Sequence, residues 1–340
     1  MGNNVNSSLH DGHALLEVKG LKTHFFTRSG VVKAVDGVNL TVKRGQVVCI
    51  VGESGCGKSM TALSILQLVD KPGRIVEGEI YLEGEELTSK NRREMSQLRG
   101  SRISMIFQEP RSSLNPVFKV GKQLLEVLSI HKHEVAKTEH EKQVVDLLRE
   151  VGIPDPKKRA SNYPHEMSGG MAQRVMIAMG IACAPDLLIA DEPTTALDVT
   201  IQAQVLDLMR KLRDELNIGI IFITHDMGVV AEMADIVEVM YAGTVVEEAP
   251  TELLFEEPLH PYTQGLIASI PIMGEFKDRL DVIPGTVPSL IDMPPGCRFA
   301  SRCRARIEHN LEKCLEEEPE LLEVRSGHTV RCWLYEEETT

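Results

Sequence analysis

Gln46 to Leu68 reads QVVCIVGESGCGKSMTALSILQL, and its character changes twice within a few residues. A continuous apolar run ending at Val51 reads as a buried strand. Gly52–Ser59, GESGCGKS, follows as a Gly-rich turn, and the apolar residues after it recur at helical spacing. The turn fits G-x-x-x-x-G-K-[ST] and sits where that pattern has a mechanism, between a strand and a helix. Glycines 52, 55 and 57 let successive backbone N–H groups turn inward as an anion nest, and the helix adds its positive N-terminal end. The loop, with Glu53, Ser54, Cys56 and Met60 beside the glycines, is therefore expected to bind nucleotide phosphates. Lys58 is assigned to the β- and γ-phosphates, Ser59 to Mg²⁺ directly, and Asp191, ending the apolar run LLIAD, to Mg²⁺ through a water. Cys56 is expected to contribute only backbone.

Outward from this unit, LLEVKGLKTHFF (15–26) and VVKAVDGVNLTV (31–42) alternate as half-buried strands do, and EGEIYLEG and SRISMIF continue the pattern. From Val120 to about Ala184 the chain reads as helical, with GKQLLEVLSIH and EKQVVDLLREVG as amphipathic stretches. DLLIADEP and IGIIFITH are short continuous apolar runs of the buried parallel-strand kind, separated by a helix around QAQVLDLMRKLRDEL. The expected fold is α/β, a P-loop NTPase with a RecA-like core, an antiparallel β-subdomain, a helical subdomain at about 110–184 and a small cysteine-bearing C-terminal extension. Pro and Gly become dense after residue 250, which sets the boundary near Phe255: a polar tail at 1–13, a nucleotide-binding domain at 14–255 and the extension at 256–340.

Composition excludes several classes. The formal net charge of −13 opposes binding to a phosphate backbone, so no nucleic-acid partner is expected. No apolar run approaches the roughly 20 residues that span a bilayer, and the polar N-terminus lacks the build of a secretory signal. Cytosolic residence follows, so the cysteines are expected as thiols or metal ligands rather than disulfides.

Further motifs narrow the superfamily. MSGGMAQRVMIAMGIA (167–182) resembles the signature of the ATP-binding cassette (ABC) family, with Ser168, Gly169 and Gly170 matching its core. Gln108 in IFQEP, Asp191-Glu192 in LLIADEPTTALD, Ala196-Leu197-Asp198 as a D-loop and His225 in IFITHD match in order and spacing. The resemblance implies that Ser168–Gly170 bind the γ-phosphate held by an opposite subunit. It also implies that Gln108 links Mg²⁺ and the attacking water to a coupling surface, and that His225 acts as the switch histidine. Glu192, directly after the strand-ending Asp191, is the general-base or water-polarising candidate. Phe25, with Phe26 as the alternative, looks like the aromatic that stacks on adenine. Met167 replaces the common leucine of the signature, and Ala172 stands where a basic residue is frequent, which is expected to weaken a trans contact.

IFQEPRSSLNPVFKVGKQL, ADEPTTALDVTIQAQVLDLM and the tail segments EEPLHPYTQGLIASIP and IPGTVPSLIDMPPGCRFASRC are similar to dipeptide and oligopeptide permease ATPases. That resemblance implies an ATP hydrolase at the cytoplasmic face of the cell membrane. Its implied partners are two transmembrane permease subunits, a second cassette and, indirectly, an extracytoplasmic binding protein. A nickel-importer ATPase is the alternative, followed by a non-transport ABC ATPase. Cys297, Cys303, Cys314 and Cys332 suggest one shared ligand, either an iron–sulfur cluster or Zn²⁺, with unligated thiols as the remaining reading. The resemblance implies [4Fe–4S]. His131, His133 and His140 are expected on solvated surface. Cys49 and Cys183 are read as small core residues, and Arg92, Arg93, Arg99 and Arg102 as surface decoration.

Overall fold

The computed structural model describes residues 14–132, 134, 136–195, 197–270, 283–291 and 293–339. The tail at 1–13, His133 and Ala196 lie outside them. Leu16–Thr27 (β1) and Gly30–Val42 (β2) form an antiparallel ribbon, and Val47–Val51 (β3) runs through the Gly-rich turn into Lys58–Ile65 (α1). Gly73–Leu82 (β4) and Glu85–Glu86 (β5) complete the first sheet. Arg92–Leu98 (α2) opens with a capping box, in which Asn91 accepts from the Arg93 and Glu94 amides while Glu94 accepts from that of Asn91. Ile103–Ile106 (β6) then leads to a helical run: Pro110–Ser113 (α3), Val120–His131 (α4), Lys137–Glu150 (α5), Pro156–Arg159 (α6) and Gly169–Ile181 (α7). Strand–helix alternation resumes with Leu187–Asp191 (β7), Val199–Leu216 (α8), Gly219–Thr224 (β8), Met227–Met233 (α9), Ile236–Tyr241 (β9) and Thr244–Pro250 (β10). The C-terminal part holds Thr251–Glu256 (α10), Pro261–Ala268 (α11), Arg304–Glu308 (α12), Lys313–Glu316 (α13), Leu322–Arg325 (β11) and His328–Val330 (β12).

Among the described residues two sheets form: an antiparallel one in the order β2-β1-β4-β5, and a mixed one in the order β11-β12-β10-β9-β3-β8-β7-β6. In the second, β9, β3, β8, β7 and β6 pair in parallel, which explains why β3, β7 and β8 are buried along their whole length. Both faces must be covered. Alternate side chains of β3 do this in opposite directions. Val47, Cys49 and Val51 face a core shared with α4, α5, α7 and α8, whereas Val48 and Ile50 face one shared with α1 and the antiparallel sheet.

The extension is continuous with the large sheet, because β12 pairs antiparallel with β10 at Glu247↔Val330 and Glu248↔Thr329. Fully buried Glu247 accepts from the Leu259 and His260 amides at 2.7 and 2.8 Å, and its carboxylate lies 2.8 Å from His328 Nε2. Arg298 reaches back to Asp36 (2.7 Å), to the Ala242 carbonyl (2.7 Å) and to Glu318 (2.9 Å).

Several surface expectations are corrected here. His140 is buried at 3% exposure, because its i, i+4, i+8 spacing with Val144 and Leu148 puts it on the inner stripe of α5. Arg99 caps the end of α1, donating to the Leu66 and Gln67 carbonyls at 2.7 and 3.0 Å. Arg102 joins Arg44 on Asp186 and Glu83, tying the residue before β7 to the turn between β4 and β5. Ala172 is fully buried on α7, so its side chain faces the core rather than a partner. Cys49 is fully buried, in keeping with its reading as a small core residue, whereas Cys183 is only half-buried.

Candidate functional site

The phosphate loop connects β3, between β9 and β8 among the parallel strands, to α1. Gly52, Gly55 and Gly57 adopt φ of 150°, 80° and 110°. At Gly57 the need for glycine is twofold: the positive φ, and the Ala34 carbonyl oxygen that a Cβ would meet at 2.4 Å. Ser54 and Gly55 form the exposed crest. The Cys56 thiol is fully buried beneath it, so this residue fills space with its side chain as well as lending its backbone. Lys58 Nζ donates to the Gly52 and Glu53 carbonyls at 2.7 and 3.1 Å, which holds the ammonium within the loop at 5% exposure. Met60 packs against the core on the antiparallel-sheet side.

The remaining catalytic candidates come from the C-terminal ends of adjacent strands. Sheet order puts β8, β7 and β6 successively beside β3, so His225, Asp191-Glu192 and Gln108 emerge along one edge next to the loop. Ser59 Oγ donates to Asp191 Oδ1 at 3.0 Å. Burial, and then the nearby Glu192 charge, push the Asp191 carboxyl up against the opposing pull of Ser59 and Lys58. A hydroxyl and a carboxylate in contact at the loop mouth are hard oxygen donors of the kind Mg²⁺ takes, so the residues fit that ion.

Glu192 is the centre of the arrangement. Its Oε2 accepts from Gln108 Nε2 at 2.8 Å and from Thr195 Oγ1 at 2.9 Å, and its Oε1 lies 3.2 Å from His225 Nδ1. Burial alone would raise its carboxyl. The hydrogen bonds from Thr195 and His225 and the charges of His225 and Lys58 outweigh burial and hold it below the ordinary carboxylate range. Its backbone is held at φ 46°, with the amide on the Ile223 carbonyl of β8 at 2.9 Å. A non-glycine residue in that region is costly, and such strain is typical of sites that must aim a side chain.

Ser168 caps α7, its Oγ accepting from the Met171 amide at 3.3 Å, with Ser168 and Gly169 exposed at the helix N-terminus. A Cβ on Gly170 would meet Ile201 at 2.7 Å, which fixes that residue as small. Asp198 caps α8 by accepting from the Ile201 amide at 3.0 Å. Of the two aromatic candidates, Phe25 packs its ring over Gly73 and is half-buried, whereas Phe26 is 41% exposed with the Arg74 guanidinium 4.4 Å from its ring centre.

The four tail cysteines share one neighbourhood. The Cys297 amide donates to the Cys314 carbonyl at 2.8 Å, and Cys332 lies within electrostatic reach of the other three thiols. Burial pushes Cys297 and Cys332 up to about 12. The donor type suits a Cys₄ ligand set. Among the described residues, however, no three His, Cys, Asp or Glu side chains stand close enough to hold one metal ion, so ligating geometry is not formed.

Three features had no signal in the sequence reading. Thr195 donates to Glu192. Tyr262 and Arg302, both from the extension, touch Glu53 of the phosphate loop, across separations of 209 and 249 residues for which no local pattern exists. Between the core and the helical region lies a groove of about 530 Å³, lined by Leu66, Ile103, Leu114, Ile130, Met176 and Phe107, the residue before Gln108.

The family profile described as ABC transporter matches residues 35–195, and that of the oligopeptide/dipeptide transporter C-terminal region matches 246–309. The oligopeptide transport ATP-binding protein AppD of Bacillus subtilis (strain 168) is 53% identical, covering 95% of this chain and 98% of its own. The dipeptide transport ATP-binding protein DppD of Escherichia coli (strain K12) is 46% identical over 94% of this chain and 96% of its own. Among solved structures, a dimeric post-hydrolysis state of the ATP-binding cassette MJ0796 bound to ADP and Pi superimposes with a TM-score of 0.63. It is 26% identical and covers 69% of this chain and 98% of its own.

Proposed function

Because the chain belongs to the ABC transporter ATP-binding proteins, in their oligopeptide/dipeptide branch, we propose that it is the ATP-hydrolysing subunit of a peptide importer. The observation that carries the catalytic reading is the convergence of Gln108, Thr195 and His225 on one carboxylate, Glu192, beside the Ser59–Asp191 pair. In-line attack on a γ-phosphate requires a water held by an ionised base, and Glu192 is held ionised by these neighbours. His225 aligns the attacking geometry from the side of β8. Gln108, whose amide nitrogen is engaged by Glu192, has its carbonyl oxygen to offer toward the cation. Phe25, or Phe26 in its place, stacks on adenine. Lys58 and the loop amides bind the β- and γ-phosphates. Ser59, Asp191 and Gln108 would hold Mg²⁺, which would supply charge neutralisation at the phosphates.

Two cassettes close head-to-tail, and the helix N-terminus at Ser168–Gly170, with Asp198 nearby in the D-loop, completes the opposite subunit's nucleotide site. ATP binding favours the closed pair and hydrolysis releases it. The second cassette is a related chain or a second copy of this one. The groove beside Gln108 receives a coupling helix of a permease subunit, since it is apolar and includes Phe107, the residue before the one that reports on the γ-phosphate. Among the described residues no helix is long and apolar enough to cross a membrane, and the subunit is peripheral at the cytoplasmic membrane face through those partners. An extracytoplasmic binding protein delivers the peptide.

The cysteine neighbourhood is proposed to hold a [4Fe–4S] cluster, with Zn²⁺ as the alternative at the same thiols. The support is donor type and proximity. Brown colour with absorbance near ~400 nm in anaerobically purified protein is the expected outcome, and colourless protein with stoichiometric zinc the contrary one.

The decisive experiment on the chemistry is Glu192→Gln in the full chain. ATP should still bind while turnover falls by about 10²-fold or more. A variant that hydrolyses ATP at the normal rate would overturn the assignment of the base.

A further inference from the structure

Glu53 is an odd residue for an anion site. It places a carboxylate one residue after Gly52, in a loop whose proposed task is to take a highly charged triphosphate. An unopposed carboxylate there would repel the ligand, because like charges a few ångströms apart in a partly desolvated site interact strongly. Both of its polar ends are engaged by the C-terminal extension. The Glu53 amide donates to Tyr262 Oη at 2.8 Å. The carboxylate takes both arms of Arg302, Nη1 at 2.5 Å and Nη2 at 2.9 Å.

Arg302 is itself built in. Its side chain is 3% exposed, Nε donates to the Pro284 carbonyl at 2.8 Å, and Nη1 lies 3.3 Å from Tyr241 Oη. Tyr262 is fully buried, its ring 4.7 Å from that of Tyr241 and 5.4 Å from that of Phe299. A bidentate guanidinium fixed from behind sets position as well as charge. Arg302 and Arg298 both lie in the segment bounded by Cys297 and Cys303, and Arg298 grips Asp36 and the turn after β9. The extension thus holds the loop and its surroundings at two points.

We propose that Arg302 and Tyr262 are positioning residues of the phosphate loop. They neutralise Glu53 and hold it away from the phosphates, so that the loop is preset for ATP and its affinity depends on the C-terminal extension. This rests on the reading of Gly52–Ser59 as the nucleotide loop. It adds that an ATP site assembled by β3 and α1 is completed from a region more than 200 residues away.

The test is calorimetric titration of the full chain with Mg-ATP, alongside steady-state ATPase. Arg302→Met should raise the Kd and KM for ATP about tenfold while kcat at saturating ATP stays within about twofold. Arg302→Lys, which keeps the charge but not the fork, should fall between that variant and wild type. Tyr262→Phe, which keeps the ring and removes the hydroxyl, should raise Kd about threefold. The double variant Glu53→Gln/Arg302→Met should bring Kd back to within about threefold of wild type, because the repelling charge leaves with its partner.

Wild-type affinity in Arg302→Met or Tyr262→Phe would overturn the proposal. So would an affinity loss in Arg302→Met that the added Glu53→Gln does not relieve, since that marks a general packing role. Should Arg302→Met fail to fold, Tyr262→Phe and Arg302→Lys decide by the same criteria. A wild-type chain that does not bind ATP would remove the nucleotide-loop reading itself, and this proposal with it.

Discussion

His260 sets an acid limit on the folded protein. It begins α11, where its Nδ1 accepts from the Tyr262 amide at 3.0 Å, so the imidazole must be the neutral Nε2–H tautomer. Burial, against the opposing charge of Glu247 and with that of Arg331, lowers its pKa from the ordinary 6.5 to about 4. Above pH 6.5 the ring is neutral in both the folded and unfolded chain and makes no pH-dependent contribution. Between 6.5 and about 4 the unfolded ring takes up a proton that the folded ring refuses, so stability falls as pH falls. At ~1.4 kcal/mol per tenfold in proton affinity, the displacement from 6.5 to about 4 corresponds to about 3 kcal/mol lost by pH 4. Burial also raises the Glu238 and Glu248 carboxyls, so the measurement is a difference. His260→Asn keeps an N-cap acceptor for the Tyr262 amide and does not titrate. Urea unfolding of both proteins from pH 7 to pH 4 should show wild type losing about 3 kcal/mol relative to the variant. A difference that stays flat across that window would refute the reasoning.

Two further outcomes are expected besides those tied to Glu192 and Arg302. Gly57→Ala forces a Cβ to within 2.4 Å of the Ala34 carbonyl at a φ of 110°, so ATP affinity should drop more than about tenfold and stability by about 2–4 kcal/mol, as read by nucleotide titration and urea unfolding. Ile130→Glu puts a charge on a residue that is 52% exposed at the apolar groove. It should sharply reduce co-purification of membrane subunits, with nucleotide affinity of the isolated chain measured as the control.

The buried strands and the helices of this chain were legible because their signals are local. VVCIV, LLIAD and GIIFIT read as strands covered on both faces, and the β3, β7 and β8 ladders run in parallel as such strands do. The motif GESGCGKS carries its own backbone demand, and the structure meets it with positive φ at Gly52, Gly55 and Gly57. His140 was misjudged because the helix face of a polar stretch is set by what packs on it. Arg99 and Arg102 were misjudged because their acceptors, at Leu66, Gln67 and Asp186, lie on other elements. The β10–β12 pairing was also unread, since β12 finds its partner on β10, some 80 residues earlier.

By itself, the sequence determined the backbone demand of the loop, the strand ends that carry Asp191, Glu192 and His225, and the family. Each of these depends on residue type and spacing within a short segment. Only the tertiary structure decided which groups meet: sheet order β3-β8-β7-β6 aligns the candidate catalytic edge, and Gln108, Thr195 and His225 gather on Glu192. It also bound Glu53 to Tyr262 and Arg302. Contacts between distant segments are set by packing and burial over the whole chain, and no spacing rule encodes them.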